Sequence, residues 1–279
     1  MPVLTVRDVS ASPPPRHNVT RRARLIAESL RPPGAVREPD AFDPSMVDGL
    51  PEPARRWLTH AIAPGTPLVD AVEIHMHGKI KLGRWRPFTA TQAIVASVGY
   101  VWAARTRVGG IPVRGFDSYA HGEGTMRWRA LGILPVQSAD GADVTRSAAG
   151  RLASEACLLP SSLLSATWEP DDNPNCAVFV QRSGGCEESE RVTVYVAPDG
   201  RLLAVTMPRW GSPNGGAFAR HRFEVRFDAE CTAGGMTLPD LVHASWIGAD
   251  GRHEEFYRAS IDAADFLTVG PPANESRAK

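Results

Sequence analysis

The stretch VDAVEIHMHGKIKL (69–82) alternates apolar and polar residues, and this pattern constrains the fold more than any other feature of the sequence. Successive side chains on a β-strand point to opposite faces of the sheet, so the alternation predicts a strand with one buried face. Val72, Ile74, Met76, Ile80 and Leu82 form the apolar face, and Glu73, His75, His77, Lys79 and Lys81 form the other. Such a strand is typical of an antiparallel sheet that packs on a core with one face.

Strand patterns continue through most of the chain. They are predicted at 88–97, 100–108, 116–131, 177–181, 191–197, 202–208, 221–230, 241–248 and 253–261. Pro198, Asp199 and Gly200 form a typical turn sequence between two of these strands. The chain is therefore predicted to form nine or ten antiparallel strands in one large curved sheet.

One segment in the middle of the chain breaks this rhythm. Thr145–Leu159 has helical spacing, with Asp143 and Thr145 as capping candidates and Pro160 as its end. Its apolar stripe consists of Ala148, Leu152, Ala156 and Leu159. We expect this helix to cover the concave face of a sheet that does not close, which makes the fold class α+β. Arg151 should then lie at the mouth of the covered cavity, where its loss costs little stability.

The termini differ from the central part of the chain. Residues 1–40, broken twice by proline clusters, are predicted to be a poorly ordered arm with one short basic helix at Asn18–Leu30, capped by Asn18 or Thr20. A second helix is expected at about Glu52–Ala63. Residues 41–267 form the single predicted domain, and 268–279 a frayed tail.

Composition excludes several classes of partner. The chain of 279 residues has 31 Lys and Arg against 31 Asp and Glu, so it lacks the basic excess of a nucleic-acid binder. No stretch approaches the ~18 apolar residues of an integral membrane segment. The sequence begins without a secretion signal and its four cysteines form no C-x-x-C pair, so we expect reduced cysteines and a cytoplasmic location. The oligomeric state stays open.

Six motifs occur in an order that resembles an uncharacterised bacterial family of unknown function. They are LPEPARRWLTHAIAPGTPL (50–68), GRWRPFTATQ (83–92), FDSYAHGEGTMRWRALGILPV (116–136), TRSAAGRLASEACLLPSSLL (145–164), PRWGSPNGGAF (208–218) and GGMTLP (234–239). Members of that family look like periplasmic lipoprotein carriers of the LolA and LolB type. The resemblance implies an unclosed antiparallel half-barrel wrapped around helices, with a hydrophobic cavity.

A polar cluster in the predicted strand 116–131 is a candidate catalytic site. Asp117, Tyr119, His121, Glu123, Arg127 and Arg129 are expected on one side of that strand. In a cofactor-free isomerase, cyclase or hydrolase, His121 would be the acid or base and Asp117 or Glu123 would orient it. Arg127 would then stabilise developing negative charge. The alternative is a solvated sheet face with ordinary salt bridges.

The seven tryptophans and the mid-chain helix suggest a second kind of site. Aromatic rings supply large apolar area for a flat or greasy ligand, although core packing is the alternative for each of them. The candidate ligand-binding residues are Trp85, Trp102, Tyr119, Trp128, Arg151, Glu155 and Trp210. The leading hypothesis is therefore binding of an apolar small molecule, such as a lipid or an isoprenoid-like compound.

Cofactor and metal sites are not expected. The sequence contains no GxGxxG after a strand, no P-loop, no HExxH and no GxSxG. His75 and His77 share a strand face, but no third ligand follows at a suitable spacing.

Overall fold

The computed structural model describes residues 6–9, 20–30, 39–184 and 188–267. Their strands are β1 (Val6–Asp8), β2 (Ala71–Leu82), β3 (Arg84–Val95), β4 (Gly99–Val108), β5 (Ile111–Ala120), β6 (Glu123–Ala130), β7 (Leu134–Ala139), β8 (Thr167–Pro170), β9 (Cys176–Arg182), β10 (Ser189–Val196), β11 (Leu202–Gly211), β12 (Ala219–Ala233), β13 (Met236–Ile247) and β14 (His253–Leu267). The helices are α1 (Arg21–Ser29), α2 (Glu52–Ala61) and α3 (Ala142–Ser154), with short 3-10 turns at Pro44–Val47, Glu155–Leu158, Pro160–Leu163 and Pro213–Gly215.

All 14 strands described belong to one sheet. The order along it is β7-β6-β5-β4-β3-β2-β14-β13-β12-β11-β10-β9-β8, and β1 adds a parallel partner to β12. The path ends at β7 and β8 without pairing them, so the sheet is open. The predicted fold class, an α+β half-barrel with a large antiparallel sheet, is confirmed.

The strand count exceeds the nine or ten predicted for identifiable reasons. β1, β7 and β8 have three, six and four residues, too few for alternation to be recognised. The predicted strand 116–131 is in fact a hairpin, since His121 and Gly122 both have positive φ (53° and 78°). Two such residues make the tight turn that reverses an antiparallel pair.

The mid-chain helix covers the inner face of the sheet, as predicted. Ala148, Leu152, Ala156 and Leu159 are all buried in the main hydrophobic core. The helix ends earlier than expected, at Ser154, and continues as 3-10 turns on either side of Leu159.

The start of α3 differs from the prediction in its capping. The N-cap residue is Gly141, and neither Asp143 nor Thr145 caps the helix. Thr145 instead accepts a hydrogen bond from the backbone N–H of Gly124 on β6 (3.0 Å). A Cβ at Gly124 would lie 2.6 Å from the Cα of Thr145, so this glycine allows the helix backbone to contact the strand.

Two described segments of the predicted N-terminal arm lie against the sheet. β1 pairs with β12, and α1 begins after Thr20, one of the two predicted caps, whose hydroxyl accepts from the Ala23 N–H. α1 packs on the outer face, where Ala23 and Leu30 join a second apolar cluster with Val101 and Phe116. The predicted tail 268–279 lies outside the described residues, and the domain boundaries stay a prediction.

α2 is anchored to β12 by an ion pair whose strength depends on pH. His60 Nε2 lies 2.9 Å from Glu230 Oε1, and the Glu230 side chain is buried. The hydrogen bond to Glu230 is the main cause that raises the pKa of His60 above its ordinary value of 6.5.

We expect His60→Gln to remove a contribution to stability that is present in acid and lost in base. A raised pKa in the folded state favours folding fully below the ordinary value of 6.5, and this gain disappears as pH rises through the raised value. Urea unfolding at pH values from below 6.5 to above the raised pKa should therefore show the largest loss of unfolding free energy in the variant on the acid side. Thr59→Ala, on the exposed side of α2, is the control, and a deficit that grows with pH would contradict the prediction.

Candidate functional site

A cavity of about 310 Å³ lies between α3 with its following 3-10 turn and the inner face of the sheet. Strands from both halves of the sheet line it, because β2 pairs with β14 and joins the N-terminal strands to the C-terminal ones. Most of its wall is apolar: Met76, Ile80, Phe223, Trp246, Phe256 and Tyr257 are among its residues. The rings of Trp246 and Phe256 stack there, with centroids 6.1 Å apart.

One end of the cavity holds a buried network of charges. Arg151 Nε donates to Glu155 Oε1 (2.8 Å), and Arg151 Nη1 lies 3.5 Å from Asp117 Oδ2. Gln92 donates its side-chain N–H to the other Glu155 oxygen (2.6 Å), and the indole N–H of Trp128 donates to Asp117 (2.9 Å). The hydrogen-bonding groups of this network are thus paired mostly with one another.

Burial perturbs the protonation of this network. Desolvation raises the pKa of Asp117, although Arg151 and the Trp128 hydrogen bond act in the opposite direction. Desolvation also disfavours the charge on Arg151, but Glu155, Tyr100 and Asp117 outweigh it and raise the pKa of Arg151 overall. Arg151 therefore stays a cation between the two carboxyl groups.

Arg209 on β11 is a second guanidinium at the cavity, and it has fewer hydrogen-bond partners than Arg151. Its Nη2 donates to the backbone oxygen of Ser147 (3.3 Å), while its buried Nε has no hydrogen-bond partner among the described residues. The guanidinium lies 4.8 Å from the ring centroid of Phe223 and 5.5 Å from that of Trp246. Within the described parts of the chain it forms no ion pair, and desolvation lowers the pKa of Arg209 to about 10.

Some of the residues predicted from the sequence meet at this cavity. Trp102, Arg151 and Glu155, predicted to bind a ligand, line it together with Asp117, predicted to be catalytic. Arg151 lies inside rather than at the mouth, with 16% of its side chain exposed.

The other predicted ligand-binding residues lie elsewhere. Trp128 binds Asp117 through its indole N–H without lining the cavity itself. The buried hydroxyl of Tyr119 donates to the Gly184 oxygen (2.7 Å). Trp210 binds Asp143 through its N–H (3.0 Å) at the start of α3. Trp85 is opposite Lys81 in the sheet register and stacks under Arg258, away from the cavity.

The prediction that six polar side chains project from one side of one strand is wrong. The turn at His121 places Asp117 opposite Met126 and Tyr119 opposite Gly124, and residues directly opposite in an antiparallel pair share a face. Asp117 therefore faces inward, whereas Arg127 and Arg129 face outward.

The outward residues have partners of their own. His121 is exposed at the turn, with its Nε2 3.0 Å from Ser29 Oγ, and Glu123 is exposed beside it. Arg127 pairs with Asp140 on the outside of the sheet. The expected acid–base group of His121, Glu123, Asp117 and Arg127 is therefore not assembled in one place.

Two inward polar residues, Gln92 and Arg209, were missed. Gln92 lies between the inward residues Ala90 and Ile94 of β3, and Arg209 follows the inward Val205 and Met207 of β11. A polar residue at an inward position of an alternating strand is the signal that could have identified both.

The histidine pair lies away from the cavity, whereas Cys157 is among the residues that line it. His75 is buried with its Nδ1 3.3 Å from Thr91 Oγ1, and His77 is exposed beside Asp262. No group of His, Cys, Asp or Glu suited to a metal occurs among the residues described. Cys157, Cys176 and Cys231 are buried free thiols, and Cys186 lies outside the described residues.

Comparison with known proteins identifies a family but no curated relative. The model of a family of unknown function (DUF6544) matches residues 40–258, and no curated protein matches. This agrees with the resemblance expected from the six motifs. No helix in the described ranges is long and apolar enough to cross a membrane. The cytoplasmic location stays a prediction.

Three solved structures are distantly similar. An outer membrane lipoprotein-sorting protein domain from Vibrio parahaemolyticus has 11% identity and a TM-score of 0.37, over 74% of this chain and 88% of its own. A LolA superfamily protein from Nitrosomonas europaea has 8% identity and a TM-score of 0.39, over 77% and 92%. A DUF1329 family protein from Desulfovibrio piger has 10% identity and a TM-score of 0.38, over 81% and 94%.

Proposed function

The chain belongs to the DUF6544 family of unknown function, and from its own cavity we propose that it binds an apolar small molecule carrying one acidic head group. The observation that carries the proposal is Arg209, a desolvated guanidinium without an ion pair among the described residues, at a largely apolar cavity. A volume of about 310 Å³ is within the range of small-molecule sites.

The apolar wall supports the body of such a ligand. Phe223, Trp246 and Phe256 form an aromatic surface beside Arg209, while Met76 and Ile80 extend the wall along β2. Burial of a hydrocarbon chain against these side chains is favoured by roughly 25 cal/mol per Å² of apolar area removed from water.

Arg209 supports the acidic head. The Nε without a partner and the adjacent Nη atoms form a planar fork that matches a carboxylate. Arg151 is less suited to this role, because Glu155 and Asp117 already neutralise it. The preferred ligand class is therefore a lipid-like or isoprenoid-like carboxylic acid, and its binding requires no cofactor.

Dodecanoic acid and dodecanol form a matched pair that tests this proposal by isothermal titration calorimetry at neutral pH. We expect the acid to bind more tightly than the alcohol. Arg209→Met should lower the affinity for the acid by about tenfold or more, as expected for loss of a charge-assisted hydrogen bond. The alcohol should be nearly unaffected, because its chain contacts the same apolar wall.

Arg222→Met on the exposed side of β12 is the control and should bind both compounds like the wild-type protein. If neither compound binds, the cavity is not an apolar ligand site. If both compounds bind equally and Arg209→Met changes the affinity for neither, the proposal of an acidic head group is wrong.

A further inference from the structure

Three hairpin turns lie at the same end of the sheet and expose apolar side chains. They connect β2 to β3, β4 to β5 and β6 to β7, and alternate turns of an antiparallel meander share one end. Leu82, Val108, Ile111, Leu131, Ile133 and Leu134 form what we call the turn patch. Their exposed fractions run from 38% for Val108 to 70% for Ile133.

The β6–β7 turn contacts the start of β5, directly after the β4–β5 turn. The backbone N–H of Leu131 donates to the oxygen of Pro112 (2.9 Å), and the Arg114 guanidinium lies against Gly132. Exposed apolar side chains scattered singly are ordinary, but a connected group of them indicates an interaction surface.

Basic side chains predominate on the strands that carry the turn patch. The neighbouring β14 begins at the same end of the sheet with Glu254 and Glu255, and Glu255 is already paired with Arg258 and His243. Residues 76–138 contain nine Lys and Arg but only two Asp and Glu, although the whole chain is balanced at 31 and 31. Those two acids are remote: Asp117 lines the cavity, and Glu123 is beside the turn at the other end of the β5–β6 hairpin. The basic residues on the strands that carry the patch include Lys79, Lys81, Arg84, Arg105, Arg107 and Arg114.

None of these six cations forms an ion pair with a carboxylate in the described segments. Arg107 donates to the Gly110 oxygen (3.1 Å) and Arg105 to the Thr89 hydroxyl (2.9 Å), which are neutral partners. Their positive field is therefore available to an external anionic surface.

We propose that the turn patch docks on the surface of a bilayer that contains anionic phospholipid. Apolar side chains at the tips would enter the interface while the flanking Lys and Arg contact lipid phosphates, a combination typical of peripheral membrane binding. Charge complementarity favours this occupant over a second copy of the chain, whose patch carries the same positive charge. The patch also adjoins the cavity wall, because Ile80 lines the cavity and Leu82 lies two residues further along β2.

Co-sedimentation with vesicles tests the proposal without any cavity ligand, so its failure is separate from failure of the proposed function. We expect the protein to sediment with vesicles of equal parts phosphatidylcholine and phosphatidylglycerol, to stay in solution with phosphatidylcholine alone, and to be released by high salt. Ile133→Ser with Leu134→Ser should weaken binding by about tenfold or more, since both apolar tips are lost. Arg105→Gln with Arg107→Gln should weaken it and reduce its salt dependence.

Two exposed residues on other strands provide matched controls. Leu203→Ser and Arg222→Gln should sediment like the wild-type protein. Hydrogen exchange on the wild-type protein gives a second measurement, and anionic vesicles should protect the three turns selectively. Equal sedimentation with both kinds of vesicle, or turns left unprotected by bound vesicles, would overturn the proposal. A dimer that depends on Ile133 and does not bind vesicles would do the same.

Discussion

Leu152→Ala is expected to lower the free energy of unfolding by about 2–5 kcal/mol, a large part of the stability of a typical domain. Leu152 is 1% exposed and lies in the core between α3 and the inner face of the sheet. Removing its branched end loses burial and leaves a cavity that its neighbours fill incompletely. Urea unfolding followed by tryptophan fluorescence measures the change.

Leu203→Ala is the matched control, because this leucine on β11 is 42% exposed. Its substitution should change the free energy of unfolding by less than about 0.5 kcal/mol. Equal and small losses in both variants would mean that α3 is peripheral to the fold rather than part of its core.

Arg151→Ala is expected to be as damaging, with a loss of about 3–5 kcal/mol in the free energy of unfolding. The variant leaves Asp117 and Glu155 in the cavity without their common cation. This differs from the small cost expected from the sequence, which placed Arg151 at the mouth of the cavity. The deficit should shrink as pH falls, since Asp117, whose pKa is already raised, can take up a proton.

A second substitution separates the charge effect from loss of packing. Arg151→Ala combined with Glu155→Gln should recover part of the stability, because one of the two unpaired carboxylates is then neutral. Arg201→Ala, which removes the half-buried partner of the exposed Asp199, is the control for an ordinary surface ion pair. A loss in Arg151→Ala no larger than in Arg201→Ala would contradict the role of Arg151 as the centre of the buried network.

Local sequence patterns predicted those helices and strands in which buried and exposed residues recur at a regular spacing. β2 places Val72, Ile74 and Met76 in the core as expected, although Leu82 is exposed and His75 on the other face is buried. The stripe of α3 is buried, and Thr20 caps α1. A strand repeats every two residues and a helix every 3.6, so a single buried face produces a periodic pattern of apolar residues in the sequence.

The candidate site was only partly readable. Trp102, Arg151, Glu155 and Asp117 were identified as candidates by residue type, but so were Trp85, Trp210 and His121, which lie away from the cavity. Residue type indicates what a side chain can do, whereas the face it occupies depends on register. A single turn at His121, with a positive φ that few residues other than glycine adopt, reversed the face assigned to every residue of β6.

The sequence by itself determined most of the strands, the covering helix and the separation of basic from acidic residues along the chain. Only the tertiary structure decided that β2 pairs with β14, which brings Met76 within 3.1 Å of the Tyr257 hydroxyl and joins the two halves of the cavity wall. Likewise it decided that Arg209 faces this wall without a described counter-ion. The reason is physical: periodicity records which side of an element is buried, while pairing between distant segments depends on the free energy of the whole packed chain.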